Sequence, residues 1–139
     1  MNINEELYQF IKNQIKTQLS KKLTYDVKVK DTPSGTDFPL VIIQRILSTP
    51  PQTDYDHIDS FSKPTYEFDI YAKSKTIGTK TFSARTIAVE IEDVIYEYMS
   101  VELGATCTYT GPTPNVDTDV YRITMRFTKT SNDRRNRFI

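Results

Sequence analysis

The sequence predicts an α+β fold: a single antiparallel or mixed β-sheet of about five strands with two main helices packed on it, in the order α-β-β-β-α-β-β. Three observations carry the expectation. Two long stretches repeat their apolar residues at helical spacing, four shorter ones alternate apolar and polar residues, and one run, FPLVIIQRIL, is apolar almost throughout. All seven prolines fall at the ends of these stretches or between them, where a missing N–H breaks no regular ladder.

In INEELYQFIKNQIKTQLSKKL, Leu7, Phe10, Ile11, Ile15 and Leu19 form one stripe with lysines and glutamines opposite, which predicts an amphipathic helix. Asn2 or Asn4 is placed to cap it, Glu5 and Glu6 lie near the positive end of its dipole, and Lys21 and Lys22 lie near the negative end. YDVKVK, Tyr25 to Lys30, alternates as a half-buried strand, and TPSGTD is a loop. FPLVIIQRIL, Phe38 to Leu47, is ambiguous by periodicity alone. Its length, β-branched Val41, Ile42, Ile43 and Ile46, and Pro39 at its entrance favour a strand buried on both faces. TYEFDIYAK turns Tyr66, Phe68, Ile70 and Ala72 one way and Glu67, Asp69 and Tyr71 the other.

TFSARTIAVEIEDVIYEYM returns to helical spacing, with Phe82, Ile87, Ala88, Ile91, Val94, Ile95 and Tyr98 on one side. ATCTYT sets Ala105, Cys107 and Tyr109 against Thr106, Thr108 and Thr110; DVYRITMRFT sets Tyr121, Ile123, Met125 and Phe127 against Arg122, Thr124 and Arg126. The turn-rich GPTPNVDTD between them predicts an antiparallel hairpin. Residues 1–139 read as a single domain with a long loop at 48–64 and a basic C-terminal tail at 130–139.

At 37% hydrophobic and 26% charged residues, the composition is that of an ordinary globular protein. One cysteine, Cys107, excludes an internal disulfide. The N-terminus is acidic and amphipathic rather than basic and then apolar, and no run approaches the roughly 18 apolar residues of a membrane span, so no membrane partner is expected. The 18 basic and 18 acidic residues cancel. They are segregated into blocks: acidic around Asp54–Asp69, basic from Lys73 to Arg85, acidic from Glu90 to Glu102, and basic from Arg122 onward. A nucleic-acid binder usually presents a net basic surface. Alternating blocks on a neutral chain suit faces of opposite sign that meet within one subunit or between copies.

The polar cluster DYDHID supplies Asp54, Asp56, His57 and Asp59, which are hard-cation ligand types. A calcium loop started at Asp54 would need a ligand where Ile58 stands, a glycine at Asp59 and a glutamate at Thr65, so no metal is assigned. His57 is the only histidine, and no G-x-S-x-G elbow accompanies it. SFSK lacks the companion motifs of β-lactamase-type enzymes. GTKT, Gly78 to Thr81, departs from a P-loop and reads as a turn opening the second helix, with Thr79 or Thr81 as its cap. No catalytic residue and no cofactor are assigned. Arg122 and Arg126 share a strand face whose expected neighbours are Glu67 and Asp69, so cross-strand pairing accounts for them. The tail, with Arg134, Arg135 and Arg137, is either a mobile basic end or an arm that docks on an acidic patch, Glu90, Asp93 and Glu97, of another copy. The 48–64 link, stiffened by Pro50 and Pro51, is longer than compact domains usually tolerate without a function, and it reads as an arm reaching a neighbouring copy, with Asp54, Tyr55, Asp56, His57, Asp59 and Phe61 as its candidate subunit or tail-tube contacts.

Taken together, the N-terminal helix, FPLVIIQRIL running into a polar excursion, YEFDIYAKSKT leading into TFSARTIAVEIEDVIYEYM, and the final VYRITMRFT resemble the tail terminator or tail completion proteins of tailed bacteriophages and phage-like particles. The resemblance spans nearly the whole chain. It implies a non-enzymatic structural protein of the virion, at the head-proximal end of the tail, assembled in the bacterial host cytoplasm. The implied partners are copies of itself in a ring, commonly a hexamer, the tail tube protein below and the head or neck connector above. DNA would pass through without sequence-specific binding. Another head-tail connector component and a small nucleic-acid-binding accessory domain are the alternatives.

Overall fold

A computed structural model describes residues 3–31, 38–46, 65–114 and 119–128. The elements are α1 (Ile3–Lys22), β1 (Lys28–Lys30), β2 (Leu40–Ile46), β3 (Thr65–Ala72), β4 (Lys75–Ile77), β5 (Lys80–Phe82), α2 (Ala84–Tyr96), β6 (Thr106–Pro112) and β7 (Tyr121–Thr128); α2 runs on into a π-helical segment, Glu97–Glu102. Five strands form one sheet in the order β1-β2-β3-β7-β6. β1 and β2 are parallel and every other neighbouring pair is antiparallel, so the sheet is mixed. The fold is α+β, with the β6–β7 hairpin in place.

Apolar residues of both helices meet the inner face of the sheet. Leu7, Ile11, Ile15 and Leu19 of α1 and Ile87, Ala88, Ile91 and Ile95 of α2 share one core with Val41 and Ile43, with Tyr66, Phe68, Ile70 and Ala72, and with Ile123, Met125 and Phe127. β2 is buried on both faces as expected: Leu40 and Ile42, which point away from the helices, are as inaccessible as Val41 and Ile43. The core is tight enough that Phe68 and Phe127 meet edge-on, with ring centroids 5.8 Å apart.

Five local expectations are corrected. In α1, Tyr8 is buried in place of Phe10, which is 36% exposed. At 100° per residue the row Leu7, Ile11, Ile15, Leu19 centres near Tyr8, about 40° away, whereas Phe10 lies about 120° away. The one Tyr8 hydroxyl proton is shared between the Ile43 carbonyl (3.0 Å) and Asp31 (2.7 Å), seating the helix on β2. β1 is only three residues long, and Tyr25 precedes it, packing on Phe82 with centroids 6.0 Å apart. The stretch before α2 is a hairpin, β4–β5, with Gly78 at φ 65° supplying a two-residue turn. Because β5 is held in that hairpin, α2 starts later and Ser83 is its cap; the Ser83 hydroxyl accepts from the Thr86 amide at 3.1 Å, and neither Thr79 nor Thr81 caps.

The fifth correction concerns β6. A bulge between Cys107 and Tyr109 breaks the alternation, so Cys107 still opposes Phe127 but Tyr109 opposes Arg126. Tyr109 is thereby moved to the outer face and is 46% exposed. Its ring lies along its own strand over Gly111, where an added Cβ would stand 3.4 Å from the hydroxyl.

Candidate interaction surfaces

The outer face of the sheet is a polar ladder built by register. Glu67 stands opposite Arg126, Asp69 opposite Thr124, and Tyr71 opposite Arg122. Asp69, only 5% exposed, accepts from the Thr124 hydroxyl (2.7 Å) and from the Arg122 guanidinium (3.1 and 3.3 Å). Thr113 extends the chain by a 2.7 Å bond between its hydroxyl and that of Thr124. Arg126 donates to Glu67 at 2.8 Å, and the Arg122 guanidinium lies 5.2 Å from the centre of the Tyr71 ring. Desolvation, with the Asp69 carboxylate beside it, holds the Glu67 carboxyl above its ordinary value, and Arg126 opposes that shift. Burial likewise raises Tyr71. The cross-strand pairing expected from the sequence is therefore present, and this face satisfies its own charges.

The acidic candidates on α2 divide into separate roles. Glu90 accepts the Tyr25 hydroxyl, and burial followed by this carboxylate pushes the Tyr25 hydroxyl above its ordinary value. Glu97 pairs with Lys22, tying the end of α1 to the end of α2. The Asp93 side chain is exposed and makes no hydrogen bond or ion pair among the described residues. Asp54, Tyr55, Asp56, His57, Asp59 and Phe61 of the loop, and Arg134, Arg135 and Arg137 of the tail, lie outside the described residues.

Several exposed groups were not picked out as candidates from the sequence. Tyr96 (44% exposed) and Val101 (73%) interrupt the acidic surface of α2 and its π-helical extension, where Glu92 and Glu102 also lie. Glu92 accepts the Thr110 hydroxyl from β6. At the other end of α2, Lys75 and Lys80 lie on the β4–β5 hairpin, Arg85 on the first helical turn, and Lys73 between β3 and β4. Lys73 sits 5.0 Å from the Phe38 ring centre and Lys80 5.2 Å from that of Phe82, while no carboxylate among the described residues pairs with any of the four. The charge blocks of the sequence were the available signal for both ends. What hid them was that a helix of known residues still has an unknown start, and the hairpin moves that start to Ala84.

A groove of about 310 Å³ runs between α1 and β1, lined by Lys16, Ser20 and residues 26–30. Among the described residues no three histidine, cysteine or carboxylate side chains are grouped to hold a metal ion, and no helix is long and apolar enough to cross a membrane. No protein-family model matches this chain, and no curated protein matches it.

Proposed function

We propose that this chain is a structural ring subunit of a phage or phage-like tail, one that caps the tail tube, ends its polymerisation and presents a surface to the neck. The observation that supports this reading is how the frame uses its surfaces. The segments that carry the resemblance, Ile3–Lys22, Leu40–Ile46, Thr65–Ala72, Ala84–Tyr96 and Tyr121–Thr128, pack into one sheet-and-helix body. Most of their described apolar residues are buried, and the polar sheet face is closed by its own ion pairs. Among the described residues, what faces outward includes a largely exposed edge strand, β6, and a helix whose two ends carry opposite charge. Such edges suit head-to-tail contacts between copies, which close into a ring when the rotation per subunit allows it.

The work of such a subunit is geometric, since a ring of identical copies presents two unlike faces. One would match the last tube ring and the other the neck. Solution mass measured across protein concentrations, with negative-stain images taken in the presence of tail tubes, tests the reading. Closed rings of about six copies seated on tube ends are expected. Monomers alone, even with tubes present, overturn it.

A further inference from the structure

The charges of α2 are arranged against its own dipole. A helix is stabilised by carboxylates in its first turn and cations in its last, because its N-terminal end carries partial positive charge. Here the first turn holds no acidic residue and has Arg85 at its second position; the last turn of α2 holds no basic residue, and the rod ends on Glu97 and Glu102. The β4–β5 hairpin adds Lys75 and Lys80 at the positive end. Of the carboxylates toward the other end, Glu97 has Lys22, whereas Asp93 and Glu102 have no ion-pair partner among the described residues.

One chain cannot bring these two ends together. The helical rod spans 13 residues of α2 and six of its π-helical extension, roughly 28 Å at the usual rise of about 1.5 Å per residue. It packs along the sheet through Ile87, Ile91, Ile95, Tyr98 and Met99, so the ends are held apart. A second copy placed head to tail can join them.

We propose that the β4–β5 hairpin, with Lys75, Lys80 and Arg85, docks on the C-terminal half of the α2 rod of a second copy, at Asp93, Glu102 and the exposed Tyr96 and Val101. This rests on the ring reading for the identity of the partner and adds the surfaces that meet. Charge complementarity selects the occupant. The hairpin cations face carboxylates that already lie on this same chain, and the incoming lysines would stand where the helix dipole favours positive charge. Tyr96 and Val101 supply the apolar centre that a contact between charged rims needs. The contact is heterologous, because unlike patches meet, so it propagates in one direction around a ring.

Sedimentation velocity at low and high salt, up to millimolar protein, tests this on three proteins: the wild-type chain, Lys75→Glu/Lys80→Glu, and the swap Lys75→Glu/Lys80→Glu/Asp93→Lys/Glu102→Lys. Circular dichroism confirms that each is folded. The wild type is expected to associate at low salt and to weaken as salt screens the contact. The hairpin variant is expected to associate at least about tenfold more weakly, and the swap to recover most of that loss. A hairpin variant that forms rings like the wild type overturns the docking while leaving the ring reading intact. A wild type that is monomeric at millimolar protein also overturns it; the ring reading then stands or falls on the tail-tube images. Salt-dependent binding of a DNA duplex that is lost with the same lysines, with no change in self-association, assigns the hairpin to nucleic acid instead and overturns the proposal.

Discussion

The outer face of the sheet and the α2 rod carry similar kinds of charge and use them in opposite ways. On the sheet, strand register sets each cation beside a carboxylate: Arg122 with Asp69, Arg126 with Glu67. On the rod, cations collect at one end and carboxylates toward the other, and the order is the one an isolated helix disfavours. Charges that close on themselves stabilise the fold and offer little to a partner. Charges kept apart, at a small local cost, are available to one.

The largest expected effect lies where closure is deepest. Asp69→Ala leaves the Arg122 guanidinium and the Thr124 hydroxyl without their acceptor in a nearly buried position, and a loss of about 3 kcal/mol is expected from urea unfolding. A loss below about 0.5 kcal/mol, the level of an ordinary surface substitution, would remove the distinction between the two regions. Beneath the same sheet, the Tyr66 hydroxyl is fully buried with no hydrogen-bond partner among the described residues, and burial raises it to about 12. Tyr66→Phe is therefore expected to stabilise by about 1 kcal/mol; an equal destabilisation would show that the hydroxyl does find a partner.

Glu67 tests closure by pH. Its folded-state value is raised, so the folded chain holds that proton more tightly than the unfolded one, and this carboxyl removes stability as pH rises from its ordinary 4.5 through the raised value. In Glu67→Gln that decline should disappear from the pH dependence of the unfolding midpoint. The same slope in both proteins would mean that Glu67 titrates normally. Its partner Arg126 is half exposed, so Arg126→Ala is expected to cost no more than about 1 kcal/mol. The smallest effect has the opposite sign. Arg85→Glu replaces a disfavoured charge in the first turn of α2 and should raise stability by about 0.5 kcal/mol while weakening self-association. Lower stability would show that Arg85 serves the fold.

Much of this was legible in the sequence because strand faces and helix stripes follow fixed periods. Tyr66, Phe68 and Ile70 against Glu67 and Asp69, and Ile123, Met125 and Phe127 against Arg122 and Arg126, alternate without interruption, so their ion pairs followed from register once the two strands were neighbours. Periodicity fails where the period itself changes. The bulge at Thr108 adds one residue and turns Tyr109 outward, which no alternation of ATCTYT contains. The hairpin before α2 was hidden for a related reason: its strands are three residues each, too short for a pattern, and only Gly78 marks the turn. Missing that hairpin displaced the cap to Thr79 or Thr81 and concealed the gathering of Lys75, Lys80 and Arg85. The acidic patch was read as one surface because residues 90, 93 and 97 share a helix side, but Tyr25 and Lys22, brought in from elsewhere in the chain, occupy two of the three.

The most direct test of the contrast between closed and separated charge is an equimolar mixture of two folded variants, Lys75→Glu/Lys80→Glu and Asp93→Lys/Glu102→Lys, followed by sedimentation velocity. Each alone sets like charge against like at every contact and is expected to stay monomeric, whereas the mixture alternates complementary ends and is expected to associate. Association of either variant alone at wild-type strength, or a mixture that stays monomeric where the wild type associates, would contradict it.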